Sequence, residues 1–169
     1  MQVNAYNDFI DNRSNGVSFA GFIDVDEFLC LKADSSLEQF LLRYIDCYGF
    51  CVNWKLFGDN GIPDVVDNDW SVIKRFTKCQ CTMNKHVKTF LNIGRCGKAF
   101  HFVNPHCVDA SLRFNCIVDP SKQVFVHGPW NEKSSNAIAQ LNHYHCKTLG
   151  EYRLKNMRGR ADMHNMTID

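Results

Sequence analysis

The sequence predicts an α/β fold, a mixed sheet with flanking helices, and three observations carry that expectation. Apolar residues recur at helical spacing in some segments and alternate with polar ones in others. Helix-start signals of the S/T-x-x-E kind stand ahead of two helical segments. The 169 residues are 45% hydrophobic and 22% charged, the balance of a chain that folds around a core, and the length suits one domain over 1–169.

Residues 2–12 read as a short helix carrying Ala5, Tyr6, Phe9 and Ile10. Phe19 to Ile23 reads as a buried strand. Ser35 and Glu38 form a capping box ahead of Leu37, Phe40, Leu41, Tyr44, Ile45 and Tyr48, which recur at helical spacing, with Gly49 as the stop. In FCVNWKLFG, Val52, Trp54 and Leu56 alternate with Asn53 and Lys55, which is strand periodicity. GDNGIPD (58–64) is a turn and loop. VIKRFTKCQC, HVKTFLN, KAFHFV and KQVFVHG are further strand candidates. A last strand over about Ala137 to His145 leads into a second box, Thr148 and Glu151. The helix it opens is basic, with Arg153, Lys155, Arg158 and then Arg160.

The formal net charge is +1, which gives no reason to expect a nucleic-acid partner. No apolar run approaches transmembrane length, and MQVNAYNDFIDNR lacks the pattern of a signal peptide. Nine cysteines, odd in number and scattered, read as reduced thiols of a cytoplasmic protein, in solution or at a membrane surface. Cys79 and Cys81 form a CxC, but with only His86 and Cys96 nearby there is no second pair for zinc, so strand thiols are the expectation.

The chemistry concentrates at GFIDVDEFL, residues 21–29. Three carboxylates, Asp24, Asp26 and Glu27, follow an apolar strand directly. They repel one another and lose hydration at a strand end, a cost that a divalent cation would offset. Residues i and i+2 of an extended segment point the same way, so Asp24 and Asp26 form a pair on one side. Mg²⁺ and Mn²⁺ are commonly held by one or two carboxylates plus ligand phosphates. The bland alternative is a solvated acidic turn. Near the other end, His143 supplies an imidazole suited to the same metal. Lys147, Lys155 and Arg158 supply charge for a diphosphate, aided by the helix N-terminus after Thr148. The bland alternative there is a solvated basic helix.

Several stretches then fall into a known order: FIDVDEFL (22–29), VNWKLFG (52–58) followed by Gly61, KRFT (74–77), Lys88-Thr89, NPH (104–106) and LNHYHCKTLGEYRLKNMRGRAD (141–162). The chain resembles bacterial and viral glycosyltransferases of the family 92 type and their family 2-like relatives, whose fold is GT-A. The last stretch is similar to that family's NHY-x-x-K-S/T-x-x-E-[FY]-x-x-K-x-x-RG. The resemblance implies a metal-dependent, inverting transfer of a sugar from a nucleotide-sugar donor to a glycan or other hydroxyl acceptor, with Mn²⁺ or Mg²⁺ as cofactor. It implies Asp24 and Asp26 as the DxD metal pair and His143 as a metal or phosphate contact. Trp54, Phe57 and Gly58 match the segment that shapes a sugar or acceptor pocket. Lys88 and His106 match family positions without a derivable role, and none carries over to His145. Among Glu27, Asp59, Asp64 and Asp109 no general base is singled out.

In the family a βαβ half that holds the nucleotide base precedes the DxD strand. Only a short segment precedes Phe22 here, so the resemblance implies a partial GT-A domain that starts just before the DxD strand. On that reading Phe19, Phe22 and Ile23 form an exposed apolar edge. Self-association, or a complex with a chain carrying the other half, is then expected, with little transfer by the chain alone. Two other readings stand beside this one: a sugar- or nucleotide-binding remnant without turnover, and another metal-dependent phosphoryl-transfer enzyme. No second acidic cluster for a two-metal site supports the latter.

Overall fold

The computed structural model describes residues 1–64, 71–109, 117–124, 128–133, 135–157 and 159. The elements run α1 (Gln2–Asp8), a π-helical turn (Phe9–Arg13), β1 (Phe19–Gly21), β2 (Glu27–Leu31), α2 (Leu37–Leu42), β3 (Gly49–Leu56), α3 (Val72–Arg75), β4 (Val87–Asn92), α4 (Ile93–Cys96), β5 (Ile117–Val118), β6 (Ala139–His143) and α5 (Leu149–Met157). The sheet is mixed and curled, in the order β1-β4-β3-β6-β2. β3 pairs antiparallel with β4 and parallel with β5 at its start and β6 at its end. β2 returns antiparallel to β6.

β3 is the central strand, and that overturns its expected alternation. Asn53 and Lys55 are 2% and 7% exposed, more buried than Trp54 and Leu56 beside them. Both faces of β3 are covered, so its polar groups find partners inside. Asn53 exchanges side-chain and backbone bonds with Asn131, and the Lys55 ammonium donates to the Cys81 and Thr82 carbonyls.

Two apolar clusters sit on the two faces. Register places Phe50, Val52, Ala139 and Leu141 on one face, where Phe40 and Tyr44 pack over them. The other face carries Ala20, Cys51, Val87 and Leu91, covered by Ile10, Phe100, Phe102 and Val108. α1 contributes through Tyr6, whose ring stacks on Phe22 at 4.1 Å, while Phe9 and Phe102 meet Phe22 edge-on. β1 is thus an edge strand, but of the apolar residues expected to be bare there only Ile23, at 43%, is exposed; Phe19 and Phe22 are half-buried.

Other expectations shift for local reasons. The second helix is capped by Ser36, whose hydroxyl accepts from the Gln39 N–H, one residue later than the Ser35–Glu38 box. It ends at Leu42, where hydrogen bonds three residues apart tighten the chain through Tyr44 and Ile45. Gly49 opens β3 rather than stopping a helix. A β-carbon there would lie 2.5 Å from the Phe90 carbonyl oxygen, so glycine permits the close pairing with β4. VIKRFTKCQC is not a strand: Val72–Arg75 is one helical turn, and Cys79 only bridges to Phe57. KAFHFV contributes a single bridge, Phe102 to Val108. In KQVFVHG, Val124 bridges to Val118 and 125–127 lie outside the described residues. β2 is a strand that the acidic motif concealed. The Thr148–Glu151 box forms as expected, each residue accepting the other's backbone N–H.

Phe50 stacks on Tyr44 at 4.1 Å and on Phe90 at 5.0 Å and is fully buried. Phe50→Ala is expected to lower stability by about 3–5 kcal/mol, read as a fall in the urea midpoint; a loss below ~1 kcal/mol would mean this stack is not the centre of the core.

Candidate functional site

Where the apolar face of the sheet meets its end, it turns polar. Register puts Lys88 opposite Val52, Leu141 opposite Trp54, and His143 between Leu56 and Glu27. A row of side chains from four strands therefore borders the loop that carries Asp24 and Asp26 between β1 and β2. The Tyr144 N–H donates to the Asp26 carbonyl at 2.9 Å and ties that loop to the end of β6.

Each acid has its own ammonium. Lys88, with its side chain only 1% exposed, donates to Asp24 Oδ2 at 3.1 Å and to the Pro105 carbonyl at 3.2 Å, and lies 3.9 Å from Glu27 Oε2. Lys155 reaches from α5 to Asp26 Oδ2 at 2.7 Å, and His143 Nε2 lies 3.6 Å from Asp26 Oδ1. Burial alone would raise the Asp26 carboxyl, but contacts with His143 and Lys155 hold it well below the usual carboxylate range. For Glu27 burial wins: it pushes the carboxyl up to about 7, against the pull of Lys88 and the Asp24 N–H. Glu27 is thus poised to exchange a proton near neutrality.

Trp54 stands among three imidazoles, with ring centroids 4.2 Å from His143, 5.1 Å from His86 and 5.2 Å from His106. His86 Nδ1 pairs with Asn84 Oδ1 and His106 Nδ1 with the Val87 carbonyl. Burial lowers the pKa of both rings, which favours the neutral form. Three buried polar atoms in this region have no hydrogen-bond partner: Glu27 Oε1, His143 Nδ1 and Trp54 Nε1. Unfilled polar groups beside a paired acidic loop are uncommon in a finished core and more at home in a binding site.

The structure brings Asp24, Asp26, His143, Trp54, Lys88, His106 and Lys155 together. Lys147 adopts a positive φ of 53° and lines a shallow cleft with His145, Cys146, Glu151, Leu154 and Lys155. Phe57 stacks on Tyr144 at 4.6 Å and its N–H donates to the His143 carbonyl at 3.0 Å, and Gly58 is exposed in the following loop. Arg158 lies outside the described residues. The N-terminus of α5 is not open to a diphosphate as expected. Asp64 accepts the Gly150 N–H at 2.6 Å, and Thr148 and Glu151 satisfy each other. Of the carboxylates considered as a base, Asp64 is engaged in that cap, and Asp59 accepts from the Gly61 N–H. Sequence reasoning gave no role to His86, although the spacing of His86, Lys88 and Phe90 in a strand puts it on the Lys88 face.

A hard divalent cation at this loop would have to replace donors already on its acids, Gln2 Nε2 and Lys88 on Asp24 and Lys155 on Asp26. Two carboxylates border the site, one half-buried and one buried, with an imidazole beside the second. No three His, Cys, Asp or Glu side chains among the described residues converge as a complete ligand set. Such an ion would therefore depend on water and ligand oxygens for its remaining positions. No helix among the described residues is long and apolar enough to cross a membrane. Comparison of the sequence with protein-family models and with curated proteins returns no match.

The raised Glu27 carboxyl sets a direction for pH dependence. The folded protein holds this proton more tightly than the unfolded chain, so wild-type stability falls as pH rises from about 4.5 to about 7. Glu27→Gln removes that loss. The variant should gain on wild type across this window by roughly 3 kcal/mol and show a constant offset above it. Urea midpoints across the window measure it, and a pH-independent difference would refute the buried, protonated Glu27.

Proposed function

We propose that the chain is a metal-dependent glycosyltransferase domain with a GT-A-like mixed sheet, moving a sugar from a nucleotide-sugar donor to a hydroxyl acceptor. The observation that carries the reading is the convergence of Asp24, Asp26, Lys88, His106, Trp54, His143 and Lys155. These residues come from separate stretches of the chain, and all belong to the ordered set of motifs that resembles the family 92 and family 2-like enzymes.

Asp24 and Asp26 would hold Mn²⁺ or Mg²⁺, which when bound neutralises charge on a leaving diphosphate. Lys88 keeps Asp24 in place from inside the sheet. His143 orients Asp26 and stays in reach of a phosphate oxygen. Lys147 and Lys155 supply cationic charge at the edge of the site. Neutral His86 and His106 beside the Trp54 indole offer hydrogen-bond acceptors and an apolar face, the two things a sugar ring presents surfaces for. Attack by the acceptor oxygen on the anomeric carbon requires a base for its proton, and no residue is assigned to it.

The test is calorimetry with Mn²⁺, with and without a nucleoside diphosphate, on wild type, Asp24→Asn and the Asp24→Ala/Asp26→Ala double variant. Binding should be strengthened by the nucleotide and lost in the double variant; undiminished binding there removes the site. Release of nucleoside diphosphate from a panel of nucleotide-sugars then separates an enzyme from a binding module: metal and nucleotide binding without release from any donor would favour the latter.

A further inference from the structure

Trp130 is a surface tryptophan on a backbone that is fixed from both sides. Among the described phenylalanines, tyrosines and tryptophans it alone is exposed, at 53%. The Pro129 carbonyl accepts the Val87 N–H at 3.1 Å, and the Asn131 N–H donates to the Lys85 carbonyl at 2.7 Å. Asn131 is buried and pairs with the buried Asn53 of β3: Asn53 Nδ2 donates to the Asn131 carbonyl and Asn131 Nδ2 to Asn53 Oδ1, both at 3.0 Å. Trp130 thus bridges to His86 as a short extension of the sheet. Its ring meets the His86 imidazole edge-on at 6.1 Å, and the Lys85 ammonium lies 5.0 Å from its centroid. A single exposed apolar residue needs no explanation, but Trp130 is not isolated. It ends a row of rings that runs from His143 through Trp54 and His86, with centroid steps of 4.2, 5.1 and 6.1 Å. The two ends of the row differ in charge. At the His143 end stand Asp26 and Lys155. At the Trp130 end Lys85 pairs with Glu132 at 3.5 Å, so their charges cancel. The imidazoles beside Trp54 have fixed tautomers. Asn84 Oδ1 accepts the His86 backbone N–H and also faces His86 Nδ1, so that nitrogen carries the proton. His106 Nδ1 faces the Val87 carbonyl and carries its proton likewise. Burial favours the neutral form of both rings, so each keeps a lone pair on Nε2 to accept a hydroxyl.

We propose that Trp130 is an outer carbohydrate subsite: its indole stacks on a second, neutral sugar residue of a glycan acceptor whose terminal residue lies at Trp54, His86 and His106. This inference rests on the sugar-transfer reading above and adds to it the class of acceptor, a neutral oligosaccharide rather than a single sugar or a charged one. A pyranose presents a C–H face and a rim of hydroxyls. The row offers the complement, aromatic surface beside imidazole acceptors, and the Lys85–Glu132 pair leaves no net charge to favour a carboxylate or phosphate on the ligand. The fixed backbone matters because a platform already in place loses little entropy when its ligand arrives. The charged end of the row, with Lys155, is left to the donor, so the acceptor enters from the Trp130 side.

The test is calorimetric titration of wild type, Trp130→Ala and Trp130→Phe with neutral gluco-, galacto- and manno-oligosaccharides of one to four residues, and with a uronic-acid series of the same lengths. In wild type one neutral series should bind more tightly as it lengthens beyond a single sugar. Trp130→Ala should lose that gain, a drop of roughly tenfold for the longer ligands, and keep its affinity for the single sugar. Trp130→Phe should recover part of it. The urea midpoint and the affinity for a nucleoside diphosphate should stay at the wild-type values in both variants, which separates a subsite from a merely structural ring. A length-dependent gain that survives in Trp130→Ala overturns the subsite and leaves sugar transfer standing. Tighter binding of the uronic-acid series does the same, as does absence of neutral oligosaccharide binding in a protein that still releases nucleoside diphosphate from a nucleotide-sugar. Failure to bind any oligosaccharide, together with failure to bind or cleave any nucleotide-sugar, overturns the subsite and the sugar-transfer reading together.

Discussion

A lysine enclosed in the face of a sheet must find its counter-charge inside the protein, and much of this structure follows from that requirement at Lys88. Leaving a buried ammonium unpaired would cost several kcal/mol, more than most single contacts return. The chain meets the need by bringing two separate segments to one nitrogen. The β1–β2 loop offers Asp24, the start of β2 offers Glu27, and the 104–107 turn offers the Pro105 carbonyl. The same turn is fixed to β4 by Thr89, which donates to the His106 carbonyl, and by His106 Nδ1 on the Val87 carbonyl. The acidic loop is therefore held from within, and its second acid, Asp26, faces the other way, toward His143 and α5.

This arrangement separates the roles of the three carboxylates. Asp24 is paired and half-exposed. Asp26 is paired, buried and strongly acidic. Glu27 is buried with one oxygen unfilled and close to neutral pH in its titration. Three acids within four positions thus occupy different electrostatic environments, because a strand end turns successive side chains toward different neighbours. The attachment of α5 has the opposite character to that of the core. Arg75–Glu151 and Lys155–Asp26 are ion pairs at the rim, more exposed to salt than apolar packing would be, so the helix is the least firmly seated element at the site.

The sequence by itself determined the α/β class, the helix at the start, strands β1, β3, β4 and β6, and the capped basic helix at the end. These rest on local signals, such as periodicity in HVKTFLN or the Thr148–Glu151 box, which the structure reproduces. The acidic loop was also legible, but a shared side for Asp24 and Asp26 was not borne out: the loop turns, so Asp24 meets Lys88 while Asp26 meets His143 and Lys155. What only the tertiary structure decided was who answers these groups. Nothing local shows that Lys88 and Lys155 divide the two acids, that Asp64 closes the helix end expected for a diphosphate, or that His86, His106 and His143 surround Trp54. The same limit hid the burial of Asn53 and Lys55. Alternation along a strand reports a sheet with one wet face, and β3 has none, because coverage on both sides is supplied by segments distant in the chain, which no local pattern encodes.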